Sequence, residues 1–154
     1  MAEAAEANAL EREIRIEASP ETVYDYFVEP ELMMRWMGEE AELDPRPGGG
    51  LRINVDGAHV ASGKYVELVP HERIVFTWGW EGPDALTAPG STTVEVTLVA
   101  DHGATVLRLV HRDLPSAELV ARHSEGWDHY LERLEIAPTG TDPGPDPWAE
   151  RETA

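Results

Sequence analysis

From Ser116 onward the chain carries one apolar stripe, and most of what precedes it alternates with a period of two. Leu119, His123, Trp127, Leu131 and Leu134 recur at spacings of four, four, four and three, which sets them along one face of a long helix. Ser116, just after Pro115, is its expected N-cap. A helix of that length must lay its apolar face on a surface of similar size. A single antiparallel sheet, apolar on one side, supplies such a surface.

The strands of that sheet are read from alternation and turn residues. Glu11 to Glu17 alternates polar and apolar as a half-buried strand does. Ser19–Pro20–Glu21 then starts a helix with Val23, Tyr24, Phe27 and Val28 as its apolar face. Pro30 ends it, and Glu31 to Met37 is expected to form a second short helix closed by Gly38. A meander follows. Leu51, Ile53 and Val55 alternate up to the Asp56–Gly57 turn, and His59 to Val69 returns with Gly63 as the expected bulge. Ile74, Phe76, Trp78 and Trp80 share one face of the next strand, and residues 82–90 form a loop. Val94, Val96 and Leu98 alternate, and Thr105, Leu107, Leu109 and His111 share a face after the turn at Asp101–His102–Gly103. The expected fold is α+β: a curved antiparallel sheet of six or seven strands wrapped around a long C-terminal helix, with two short helices after the first strand. A hollow remains between sheet and helix wherever side chains fail to fill it.

Residues 1–9 read as a frayed polar leader, 10–136 as the domain, and 137–154 as a disordered acidic tail rich in Pro and Gly, with Trp148 an incidental exposed aromatic. The chain has 154 residues and a formal charge of −18, from 30 acidic and 12 basic side chains. That excess repels phosphate backbones and anionic lipid, so neither nucleic acid nor a membrane is an expected partner. There is no cysteine, which removes thiolate metal sites, disulfides and a Cys nucleophile. No signal-peptide pattern or membrane span is legible, and a cytoplasmic monomer or homodimer is the default.

Candidate site residues are polar or aromatic groups on otherwise apolar faces. His111 and His123 sit on surfaces expected to face one another and would form a polar end to an apolar pocket. His111 is the first choice for a general base. Trp78 and Trp80 lie beside the long loop, where a cavity mouth is expected, while Trp127 and Leu119 belong to the helix stripe. Trp36, with Met33, Met34 and Met37 around it, suggests an adaptable lid or partner surface. The expected ligand-binding set is therefore Trp36, Trp78, Trp80, His111, Leu119, His123 and Trp127. No metal site is expected, since His59, His111 and His123 share no recognised ligand spacing. Gly48–Gly49–Gly50 precedes a strand and lacks the setting of a phosphate loop, and no cofactor is expected.

Several strings carry a resemblance. Ser19–Pro20–Glu21–Thr22–Val23–Tyr24, with the order of elements, resembles the START-like, birch-pollen-allergen-like helix-grip superfamily (SRPBCC). Pro30–Glu31–Leu32 through Arg35–Trp36–Met37, Gly63 through Pro70, Glu72 through Trp78, and His123–Ser124–Glu125–Gly126–Trp127 are similar to one branch of it. That branch is named after the C-terminal domain of the heat-shock-protein-90 ATPase activator. The resemblance implies a deep cavity between sheet and terminal helix for a small apolar or aromatic molecule. It also implies two alternatives: a polyketide cyclase or aromatase-like enzyme using a pocket His as acid and base, and a cochaperone-like protein-interaction module.

Overall fold

The computed structural model describes residues 8–83, 85, 87–144 and 146. Seven strands form one antiparallel sheet: β1 (Leu10–Ile16), β2 (Glu40–Leu43), β3 (Gly50–Asn54), β4 (Val60–Val69), β5 (Arg73–Trp78), β6 (Thr92–Asp101) and β7 (Ala104–Arg112). Their spatial order is β1-β7-β6-β5-β4-β3-β2. The first two strands thus occupy opposite edges. Helices α1 (Pro20–Val28) and α2 (Pro30–Met33) carry the chain from one edge to the other. The long helix α3 (Ala117–Ile136) follows β7. This is a helix-grip α+β fold.

Local chemistry accounts for the helix starts. Ser19 Oγ accepts the Thr22 amide at 3.3 Å, with Pro20 and Glu21 in the first turn of α1. Ser116 Oγ accepts the Leu119 amide at 3.2 Å at the head of α3. Inward residues follow strand parity. Ile74, Phe76 and Trp78 of β5, Val94 and Val96 of β6, and Leu107, Leu109 and His111 of β7 are all buried. Trp127, Tyr130, Leu131 and Leu134 of α3 join the same core cluster. The register pairs Trp78 with Thr92 and Val94 with His111, which brings those four side chains together at one end of the sheet. The outer face carries ion pairs instead: Glu95 is held between Arg73 and Arg112, and Arg73 also meets Glu67.

Two local expectations are corrected. The second helix stops at Met33 and continues as turns to Trp36, reversing at Gly38, whose φ is +95°. The bulge in β4 lies between Tyr65 and Glu67, not at Gly63. Gly63 instead lets β4 approach β5 closely, because a Cβ there would run into the Thr77 carbonyl. After α3 the chain keeps contact with the domain as far as Gly144. Ala137–Thr139 forms a 3-10 turn, the Tyr26 hydroxyl donates to the Ala137 carbonyl, and Arg133 reaches the Gly144 carbonyl at 2.9 Å. Proline at the start of such a turn costs no backbone bond. At the other end, the Asn8 carbonyl accepts the Leu114 amide. Residues 1–7, 145 and 147–154, with Trp148, lie outside the described residues.

Candidate functional site: an indole-walled cavity

A cavity of about 550 Å³ lies between the N-terminal half of α3, the end of β5 and the loops at 55–59 and 80–87. Its walls are mostly apolar and buried: Met37, Val55, Trp78, Leu119, Trp127 and Tyr130. Exposed His59, Glu81, Gly82, Pro83 and Arg122 form its mouth. That size and lining suit a small organic molecule. The other end of the interface is packed solid, with Phe27, Trp36, Tyr65 and Leu134 all fully buried. The hollow is therefore confined to one end of the helix and does not run its length.

The indoles of this region are fixed by two histidines. Trp127 Nε1 donates to His111 Nδ1 at 3.0 Å, and Trp80 Nε1 donates to His123 Nε2 at 3.0 Å. An indole N–H can only donate, so each ring nitrogen facing it must carry a lone pair. The opposite nitrogens complete the pattern. His123 Nδ1 lies 2.8 Å from the Leu119 carbonyl and donates to it. His111 Nε2 lies 2.7 Å from Thr92 Oγ1, whose own proton goes to the Trp78 carbonyl at 2.6 Å, so His111 Nε2 is the donor. Both rings are neutral, in opposite tautomers. Burial pushes the His111 pKa down to about 3, and neighbouring His123 adds to the shift. Burial also lowers His123, partly offset by its bond to the Leu119 carbonyl.

Of the residues expected at the site, Trp78, Trp80, Leu119, His123 and Trp127 surround this cavity. Trp36 and His111 do not line it. Trp36 turns inward, packs on Phe27 with ring centroids 5.2 Å apart, and donates to the Tyr26 carbonyl. His111 stands behind Trp127 with no exposed surface and both nitrogens engaged, which equips it to hold Trp127 and not to move a proton in the cavity. Sequence reasoning missed Asp56 and Tyr130 in the lining and did not place His59 at the mouth. Asp56 builds its loop by accepting the Ala58 and His59 amides, while its second oxygen meets His59 Nδ1 at 2.8 Å. Among the described residues no group of three or more His, Asp or Glu side chains is arranged to hold a metal ion.

Gly126 is a further lining residue that sequence reasoning missed. It sits mid-helix in α3, where glycine costs about 1 kcal/mol relative to alanine. A Cβ built there meets nothing within 4 Å, so packing does not demand its absence. Gly126→Ala is expected to stabilise the fold by about 1 kcal/mol, measured as a higher urea midpoint with unchanged slope.

An α+β helix-grip domain with a closed, packed end and an indole-walled hollow at the other is the class that the fold and site define. The family model described as "Activator of Hsp90 ATPase homolog 1-like protein" matches residues 17–137, and the chain belongs to that family. It is 32% identical over 113 residues to the human "Activator of 90 kDa heat shock protein ATPase homolog 1", covering 73% of this chain and 31% of that protein. The chain thus spans about a third of that relative's length. The solution NMR structure of an AHSA1-like protein from Rhizobium etli is 47% identical with a TM-score of 0.72, over 90% of this chain and 86% of that one. A crystal structure from Chromobacterium violaceum is 26% identical with a TM-score of 0.71, over 89% and 99% of the two chains. With the buried aromatic cluster, this membership supports a binding surface for a ligand or a partner. No helix among the described residues is long and apolar enough to cross a membrane.

Proposed function

We propose that the domain binds a small aromatic or amphipathic molecule in the cavity between α3 and the end of β5. The observation that carries this is the cavity itself: about 550 Å³ walled by Trp78, Trp80 and Trp127, with a mid-helix glycine in its lining. No proton-moving role is assigned to either histidine, because both spend their ring nitrogens on indoles and neighbouring oxygens.

Quinoline, a neutral bicyclic aromatic, is the test probe. At ten times its dissociation constant it is expected to add about 1.4 kcal/mol of stability, roughly 3–6 °C in Tm for a domain of this size. Gly126→Phe, which places a ring in the hollow, is expected to abolish that rise while remaining folded. A Tm that does not respond in the wild type counts against the proposal.

A second reading, cochaperone-like partner binding, draws on the human relative, whose printed name states activation of a heat-shock-protein ATPase. That likeness supports partner binding more directly than it supports any small ligand. Calorimetric titration with a 90 kDa heat shock protein separates the two. Partner binding through another surface leaves affinity equal in wild type and Gly126→Phe and gives no quinoline-induced rise.

A further inference from the structure

Most polar groups around the cavity are already engaged. Glu81 takes a two-pronged bond from Arg52, and Arg122 pairs with Glu118 at 3.0 Å. Trp80 and Trp127 give their N–H groups to His123 and His111. The Trp78 N–H has no acceptor among the described residues, but it is sealed within the core and offers a ligand nothing. His59 differs. Its side chain lines the cavity mouth, is 59% exposed, and is held through one ring nitrogen only. Nδ1 lies 2.8 Å from Asp56 Oδ2, while Nε2 makes no hydrogen bond among the described residues.

The loop that presents His59 is closed by its own bonds. The Val55 amide donates to the His59 carbonyl at 2.9 Å, and the Gly57 amide donates to Asn54 Oδ1 at 2.8 Å. Gly57 supplies the φ of +92° that the turn takes. Asp56 Oδ1 accepts both the Ala58 and the His59 amides, so its second oxygen is left to fix the imidazole. A carboxylate oxygen only accepts, so His59 Nδ1 carries the proton, and in the neutral ring Nε2 carries a lone pair. The ring stands edge-on to Trp80, another wall of the cavity, with centroids 6.5 Å apart. The core shows twice what such a nitrogen takes: the N–H groups of Trp127 and Trp80 each meet a histidine lone pair at 3.0 Å. We infer that His59 Nε2, oriented by Asp56, sets the cavity's specificity by accepting from an aromatic molecule whose N–H or O–H donor lies at the mouth. This rests on the cavity being a ligand site, as proposed above.

The test compares indole with benzothiophene, which has the same bicyclic shape but no N–H; neither ionises in ordinary buffers. In slightly alkaline buffer, long-range ¹H–¹⁵N spectra are expected to show His59 protonated at Nδ1 and bare at Nε2. The Nε2 resonance is expected to move upfield with indole and to hold still with benzothiophene. His59→Phe keeps a ring at the mouth and removes the acceptor. It is expected to lower the affinity of indole relative to benzothiophene about threefold to tenfold. Asp56→Asn keeps both loop bonds through its amide oxygen but turns an NH₂ toward His59 Nδ1, which forces the opposite tautomer and makes Nε2 a donor. Quinoline, which only accepts, is then expected to gain at least about twofold on indole. An unchanged indole-to-benzothiophene ratio in His59→Phe with an unmoved Nε2 resonance overturns the inference while leaving the cavity as a site. Failure of all three aromatics to bind overturns the site, and the inference with it. Should either variant not fold, the wild-type Nε2 shift decides the question.

Discussion

Replacing Trp127 with alanine is expected to cost the fold about 3–5 kcal/mol, a large part of the about 5–15 kcal/mol that holds a domain of ordinary stability together. Trp127 is 3% exposed and stands where α3 meets the sheet, its ring 5.6 Å from that of Trp78 and 6.1 Å from that of His111. Two losses combine. The side chain's volume becomes a cavity next to one that already exists, and His111 Nδ1 is left buried without its donor. Trp127→Phe separates them, since it keeps most of the ring and removes only the N–H. It is expected to cost about 1–3 kcal/mol. Urea denaturation at fixed slope reads both variants. A loss below about 1 kcal/mol for Trp127→Ala would show that this indole does not join helix to sheet.

Acid is expected to weaken the protein in a window where its carboxylates are still ionised. In the unfolded chain a histidine titrates near 6.5, whereas folded His111 is held down to about 3 by burial. Below the unfolded value the unfolded state binds a proton that the native state refuses. Stability is therefore complete above about pH 6.5 and falls as pH drops toward the folded value. His111 alone accounts for a loss of about 2 kcal/mol between pH 7 and pH 5. His123 is lowered too and acts in the same sense. Its protonation also sets an N–H against the Trp80 N–H, so the cavity wall is expected to loosen first. Glu81 and Glu95 are shifted downward by their arginines, and their contributions fade only at lower pH, below the usual carboxylate value. Urea midpoints at pH 7, 6 and 5 check the slope, and the His111 ring resonances should stay in the neutral form above pH 4. A flat midpoint across that range would contradict the neutral, indole-bound histidines.

Much of the architecture was legible because strand parity and helix spacing are local. Leu107, Leu109 and His111 alternate inward whatever lies opposite them, and the α3 stripe runs through Leu119, His123, Trp127, Leu131 and Leu134 as spacing requires. The partners of those residues were not legible. That His111 supports Trp127 depends on the β6–β7 register and on where α3 crosses the sheet, neither of which periodicity reports. Trp36 was placed at the pocket because it stood among Met33, Met34 and Met37 on the expected second helix, but that helix ends after one turn and the indole swings in to reach the Tyr26 carbonyl. Asp56 and His59 reach the cavity because the chain after their turn bridges Ala61 to Trp80, a pairing outside any regular strand. The mid-helix glycine was not read as a sign of open space, and the lone donor on Trp78 could be seen only with every neighbour in place.

The most direct test is where a bound probe touches the chain. Intermolecular NOEs between quinoline and the ¹³C-labelled protein are expected to connect the probe to the methyl groups of Met37, Val55 and Leu119, which line the hollow from three separate elements of the chain. Contacts confined to exposed Val66 and Val99, or none at saturating probe, would contradict it.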